Sequence, residues 1–239
     1  MLSMGSFNSH VVNGAIYALP YDVLKDFAPV ALISASGGSV IVGRKTLPVD
    51  DLAGLIAWLK AKDGKALAGT PGVGSSTQVH GVFLQSLTGT TFTQVPYRGA
   101  APAMQDLVAG QIDIMIETPV TGLAQVRAGT IKAFAITAKQ RLPAAPDIPT
   151  VDEAGLPGFY TSAWYAMWVP KGTPPDIIGK LNGAVVNALA DPAVRARLAD
   201  LGQEVATAEE QTPQALGAYH KAEIAKWWPM IKAAGIKVE

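Results

Sequence analysis

Residues Val95 to Glu117 read VPYRGAAPAMQDLVAGQIDIMIE. A strand-like run from Thr91 ends at Pro96, Pro102 to Ala109 forms a short helix, and Gln111 to Glu117 returns as a strand. In QIDIMIE the apolar Ile112, Ile114 and Ile116 alternate, and Met115 makes the run apolar on both faces, as strands of parallel sheets are. Strand, short helix and strand in immediate succession are the repeating unit of an α/β protein.

The same rhythm extends in both directions. Upstream, Val40 to Val42 in SVIVGR reads as a short buried strand. Asp50 to Lys62 carries Leu52, Leu55, Ile56 and Leu59 at helical spacing, with acids in its first turn and the stop Asp63-Gly64 behind it. Ala66 to Gly69 is a second strand, and Val79, Val82, Phe83 and Leu87 mark one face of a helix that Gly89 ends. Downstream, Leu123 to Ala128 reads as helix and Ile131 to Thr137 as strand. The rhythm then breaks at Arg141 to Pro157, where Pro143, Pro146, Pro149 and Pro157 impose a long loop. Ser162 to Val169, SAWYAMWV, is an aromatic strand whose Trp164 and Trp168 read as core or interlobe packing. A proline-opened helix near Pro174 or Pro175 presents Ile177, Ile178, Leu181, Val185 and Leu189. Two further helices follow, around Pro192 to Leu201 and Pro213 to Lys232. The opening MLSM runs into a Gly-Ser turn and reads as the end of a strand.

Composition narrows the classes. Of 239 residues, 49% are hydrophobic and 16% charged, enough for one sizeable core or two small ones and too apolar for a disordered chain. Nineteen basic residues balance nineteen acidic ones, which leaves no electrostatic footprint for nucleic acid or an anionic membrane. The chain has no cysteine, so disulfides, thiolate metal sites and a cysteine nucleophile are excluded. No apolar run approaches the roughly 20 residues that span a bilayer. MLSMGSFNSH shows no basic stretch followed by an apolar one, and no signal peptide is expected in this chain. The expectation is a soluble, globular, neutral protein.

The stretch with most chemistry is Ala68 to Gly81, AGTPGVGSSTQVHG. It follows a strand's carboxyl end and opens a helix, the place where α/β proteins bind ligands. Free backbone N–H groups and the helix dipole there favour an anion, while Gly72 and Gly74 allow close approach and Ser75, Ser76 and Thr77 add hydroxyls. The spacing lacks the Lys-Ser/Thr of a phosphate loop, and the glycines at 69, 72 and 74 do not follow the dinucleotide fingerprint. Ser75 lacks both glycine flanks of a nucleophile elbow. Two compatible roles stand: Ser75 caps the helix with Gln78 in a capping box, or the capped helix also holds an anion. His10, His80 and His220 show no i, i+4 pair, so no metal is expected. His80 lies five residues beyond Ser75, a poor spacing for a serine–histidine pair. Arg98, in QVPYRGAA, either pairs a carboxylate or anchors its own loop. Glu117 and Thr118 end a strand at a carboxyl edge, as polar loop starters or as ligand contacts.

Taken together, VPYRGAAPAMQDLVAGQIDIMIE, AGTIKAFAIT, PDIPTVDEAGLPGF, WVPKGTPPDIIGKLN and AEIAKWW resemble the Bug family, the periplasmic solute receptors of tripartite tricarboxylate transport systems. YDVLKDFAPVALIS and GTPGVGSSTQVHG fit the same pattern, so the resemblance runs over essentially the whole chain. It implies a type-two periplasmic-binding-protein fold, in which two α/β lobes with mostly parallel sheets, joined by two crossing strands, close over a small ligand. Ser39 to Arg44 and Ser162 to Val169 would be the crossings. One lobe then comprises residues 1–39 plus 165–239 and the other 40–164. The resemblance assigns a ligand carboxylate to Gly74, Ser75, Ser76 and His80, with Ser6 and Asn8 facing it from the first lobe. Arg98, Glu117 and Thr118 complete the candidate set. The family's phenylalanine-proline-alanine-glycine-glycine loop has no counterpart here, which implies an incomplete first lobe. The expected protein is a periplasmic receptor for a small organic carboxylate, without cofactor, delivering to membrane transporter subunits. A homodimer through the incomplete lobe, a serine-type hydrolase using Ser75 and His80, and a non-binding remnant are the alternatives.

Overall fold

Side-chain caps mark helix starts at Asp51, Ser75, Asp191 and Thr212. In the computed structural model, which describes residues 1–236, the first four elements are β1 (Ser3–Ser6), a π-helical stretch (Asn8–Val12) running into α1 (Asn13–Ile16), and β2 (Phe27–Ser36). Next come β3 (Val40–Arg44), α2 (Leu52–Lys62), β4 (Gly64–Thr70), α3 (Ser76–Thr88), β5 (Phe92–Pro96), α4 (Ala100–Ala109), β6 (Ile114–Glu117), α5 (Pro119–Arg127) and β7 (Ile131–Ile136). The chain closes with β8 (Trp164–Pro170), α6 (Pro175–Ala190), α7 (Pro192–Asp200), β9 (Gln203–Val205) and α8 (Pro213–Ala233). Asp51 starts α2 by accepting the Gly54 N–H at 2.7 Å. Asp63 ends it in the left-handed region at φ 45°, unusual for a residue with a Cβ. Proline stands at the first turn of α6, α7 and α8, where its missing N–H costs nothing. No described helix is long and apolar enough to cross a membrane.

The chain divides into two compact units, Met1–Ser36 with Ala163–Glu239, and Gly37–Ser162. The second holds a five-stranded sheet in the order β5-β4-β6-β3-β7. Here β5, β4, β6 and β7 run one way and β3 runs against β6 and β7. Both faces are covered. Ile114 and Ile116 pack with Leu52, Leu55, Leu59 and Leu84 on one side, and Met115 with Leu107 and Leu123 on the other. That two-sided burial is what QIDIMIE encodes.

The first unit holds a four-stranded sheet, β1-β8-β2-β9, and every pairing in it is antiparallel. The expected α/β fold with two sheets is present, but the parallel character is confined to the second unit, where two of four pairings are parallel and the two through β3 are not. β-α-β crossovers enforce parallel neighbours only where they occur, whereas β8 brings the chain back and inserts between β1 and β2 in the opposite sense. Strand β2 was not legible as a strand because Pro29 interrupts it. Its pairing with β9 covers only Ser34 to Ser36, so one edge of β2 is open at Pro29 and tolerates a residue without an N–H. The expected apolar face of α3 is also rotated: Val79, His80 and Leu84 are buried and Leu87 is 43% exposed, because the buried stripe passes through a histidine. On α6, Val185 and Leu189 are buried while Ile177 is exposed.

Candidate functional site

Strands β5, β4 and β6 end side by side. Thr70 pairs with Pro96 and Gly69 with Met115, so the three turns leading into α3, α4 and α5 leave one edge of the sheet. The β4–α3 turn needs its glycines, since Gly72 has φ 143° and Gly74 φ 75°. It is tied to the next turn by the Tyr97 N–H to Thr70 O bond (2.9 Å) and the Gly99 N–H to Pro71 O bond (3.1 Å). Arg98 sits between those two bonds, exposed. Tyr97 also donates its hydroxyl to Asp106 at 2.7 Å, and burial followed by that bond pushes its pKa up to about 12.

At the head of α3 the capping box forms with one shift. The Ser75 hydroxyl accepts the Gln78 N–H at 3.3 Å, and Gln78 Oε1 accepts the N–H of Gly74, at 2.7 Å, rather than that of Ser75. The Ser75 N–H goes to Gly72 O. Gly74's own N–H is thus engaged, while the Ser76 and Thr77 N–H groups stand in the first turn, where no intrahelical acceptor exists. Thr77 Oγ1 in that first turn and Thr70 Oγ1 at the end of β4 are buried hydroxyls without a hydrogen-bond partner among the described residues, at 5% and 3% exposure. An unsatisfied hydroxyl in the first turn of a helix is an arrangement that an anion completes.

His80 lies deeper, 1% exposed. Its Nδ1 is 3.3 Å from Ser39 Oγ, Thr161 Oγ1 donates to Ser39 Oγ at 3.3 Å, and Thr137 Oγ1 is 2.7 Å from Thr161 Oγ1. Ser75 serves as a cap and His80 faces Ser39, so the two side chains of the hydrolase reading have other employment.

Glu117 is 2% exposed at the end of β6. One carboxylate oxygen accepts the Thr118 N–H at 2.7 Å, the other has no hydrogen-bond partner, and burial pushes its pKa up. Thr118 starts α5 with its hydroxyl 3.0 Å from that of Thr121. Ser6 and Asn8 belong to the first unit. There the Ser6 N–H donates to Ser9 Oγ at 2.8 Å and closes the turn into the π-helical stretch that Asn8 begins. Among the described residues no group of three or more His, Asp or Glu side chains could hold a metal ion.

Residues 2–236 match the tripartite tricarboxylate transporter family receptor. The chain belongs to that receptor family. A curated relative from Agrobacterium vitis, the UPF0065 protein in the TAR-I ttuE-ttuC' intergenic region, is 41% identical over 217 residues, covering 91% of this chain and 62% of its own length. The chain thus spans about three fifths of that relative. BugT of Bordetella pertussis is 33% identical over 222 residues, 93% of this chain and 67% of BugT. Among solved structures, MatC from Rhodopseudomonas palustris with bound malate has a TM-score of 0.82 at 36% identity, covering 96% of this chain and 78% of MatC. An R. palustris protein with adipate gives 0.82 at 31% identity, with 98% and 78% covered. The periplasmic binding protein BugD gives 0.82 at 32%, with 99% and 79% covered.

Within this receptor, sequence reasoning found the glycine-serine turn and missed Thr70, Ser39, Thr137 and Thr161. Each of these follows or precedes an apolar run and looks like an ordinary loop residue; Ser39 meets Thr137 because β3 starts where the antiparallel β7 ends, and Thr161 reaches both from the segment before β8.

Proposed function

We propose that this receptor captures a small organic carboxylate, held and not chemically altered, and delivers it to membrane transporter subunits from the periplasm. The proposed contacts in the second unit lie at the head of α3: the first-turn N–H groups, the Ser75 and Ser76 hydroxyls and the Thr70 and Thr77 hydroxyls, with Arg98, Glu117 and Thr118 at the neighbouring strand ends. Ser6 and Asn8, which belong to the first unit, are proposed as ligand contacts on the family resemblance alone. The observation that carries this reading is the unsatisfied, buried Thr77 hydroxyl beneath a helix N-terminus. Similarity to proteins with bound malate and adipate supports a dicarboxylate as ligand. His80, which the family resemblance offered as a ligand contact, is better placed as support. A thermal-shift screen of mono-, di- and tricarboxylates tests the reading. A ligand at about 100 Kd adds about 2.7 kcal/mol and raises the melting temperature; no shift with any member of the panel refutes it.

A second reading, self-association through the first unit, rests on one face of its sheet. Leu2, Met4 and Tyr165 are 54%, 63% and 45% exposed, and among the described residues β1 has a hydrogen-bonded neighbour on one side only. Exposed apolar edges of this kind pair with another copy. Light scattering should give the mass of a dimer at micromolar concentration, and a monomer at all concentrations dismisses this reading.

A further inference from the structure

The polar cluster behind α3 is left unexplained by carboxylate capture. Thr77, His80 and Leu84 lie at i, i+3 and i+7 on the helix and are 5%, 1% and 0% exposed, so one buried stripe descends from the candidate anion site to the imidazole. There the ring meets Ser39, three residues past Ser36, where the first unit's opening segment ends. Ser39 in turn donates its N–H to Thr137 Oγ1 at 2.6 Å and accepts the Thr137 N–H on its carbonyl at 2.8 Å. Thr161, two residues before Ala163, where the chain resumes the first unit, closes the cluster on Ser39 and Thr137. The head of α3 is therefore fastened, through one imidazole, to both segments by which the chain passes between its units.

We propose that His80 is a positioning residue: its Nδ1–Ser39 hydrogen bond sets the height and rotation of α3 against these two segments, and thereby holds the carboxylate-binding turn in register without touching the ligand. A buried hydroxyl–imidazole cluster suits this task because satisfying every member admits few arrangements. The inference rests on the carboxylate reading for its functional consequence, though not for the coupling itself.

Calorimetric titration with malate, on the full chain, provides the first arm. Ser39→Ala and His80→Leu should each weaken binding by about tenfold, and the double variant by no more than either alone, because they break the same link. His80→Asn, whose amide reproduces the Nδ1 position, should bind within about threefold of wild type. A ligand contact would give the opposite pattern: Ser39→Ala neutral and His80→Asn as weak as His80→Leu. Either result, or additive losses, overturns the proposal. The second arm is hydrogen exchange of the unliganded chain, where Ser39→Ala should speed exchange of the Gln78 and Val79 amides, both held by Ser75, by about tenfold and leave α6 unchanged. Unchanged exchange at Gln78 and Val79 overturns the coupling even when no carboxylate binds, which separates its failure from failure of the carboxylate reading.

Discussion

Gly5 in β1 shows how tightly a single position is specified. A Cβ there would lie 2.2 Å from the His10 ring and 2.6 Å from the Trp168 ring, and both rings are locked because they stack on each other at 3.7 Å between centroids. Gly5→Ala should therefore destabilise the chain by about 3 kcal/mol, read as a lower urea midpoint with an unchanged slope; a loss well under about 1 kcal/mol would show that the stack yields. Nothing in MGSFNSH announces this contact, since Gly5 meets Trp168 only through the β1–β8 pairing. The Ser75 cap, by contrast, was legible, because its partner Gln78 lies three residues away and local geometry alone decides it. His80 was not legible either: the apolar period pointed to another face of α3, and its partner Ser39 is 41 residues distant.

The packing of the π-helical stretch, β8 and α8 in the first unit sets a pH dependence. His10 is stacked on Trp168, and the His220 Nε2–H donates to the His10 carbonyl at 2.7 Å. Burial, then the neighbouring His220, lowers the His10 pKa from 6.5 to about 4, and burial lowers that of His220 as well. The folded chain thus resists protonation that the unfolded chain accepts. Stability from His10 is complete above about pH 6.5 and drains away as pH falls towards 4, about 3 kcal/mol in all. Glu223, which accepts from the indoles of Trp164 and Trp227 at 3.0 and 3.2 Å, acts in the other direction, as does Glu117. Burial raises both, so their contribution is full at acid pH and is lost as pH rises through their folded values. Below pH 6.5 the histidines dominate, and urea unfolding should give a midpoint that falls from pH 7 to pH 4.5, with a flatter profile in His10→Gln. A midpoint that rises on acidification contradicts the buried, neutral pair. At this scale helices were legible from their caps and strands from two-sided apolar runs. Strand β2 was not, since its Pro29 is excused only by a partly open edge.

For the whole molecule, the alternation of strand and helix in residues 40–136 made an α/β unit legible; the proline-rich stretch Arg141 to Pro157 broke the rhythm but stays inside that unit, where Leu142, Ile148 and Val151 join its core. The all-antiparallel sheet of the first unit was hidden because it joins segments from opposite ends of the chain, β1 and β2 with β8 and β9. The candidate site is legible to the same extent: its glycine-serine turn and the Thr77 hydroxyl are local to one stretch, whereas the burial that leaves the Thr70 and Thr77 hydroxyls without partners among the described residues depends on packing. The central claim is that this waiting site takes a carboxylate. Calorimetric titration of wild type and Thr77→Val with malate and adipate tests it directly. Thr77 Oγ1 has no partner among the described residues, so valine should fold with equal or slightly greater stability while binding about tenfold more weakly. Equal affinity in the two proteins, or no binding of any carboxylate by wild type, would contradict the account.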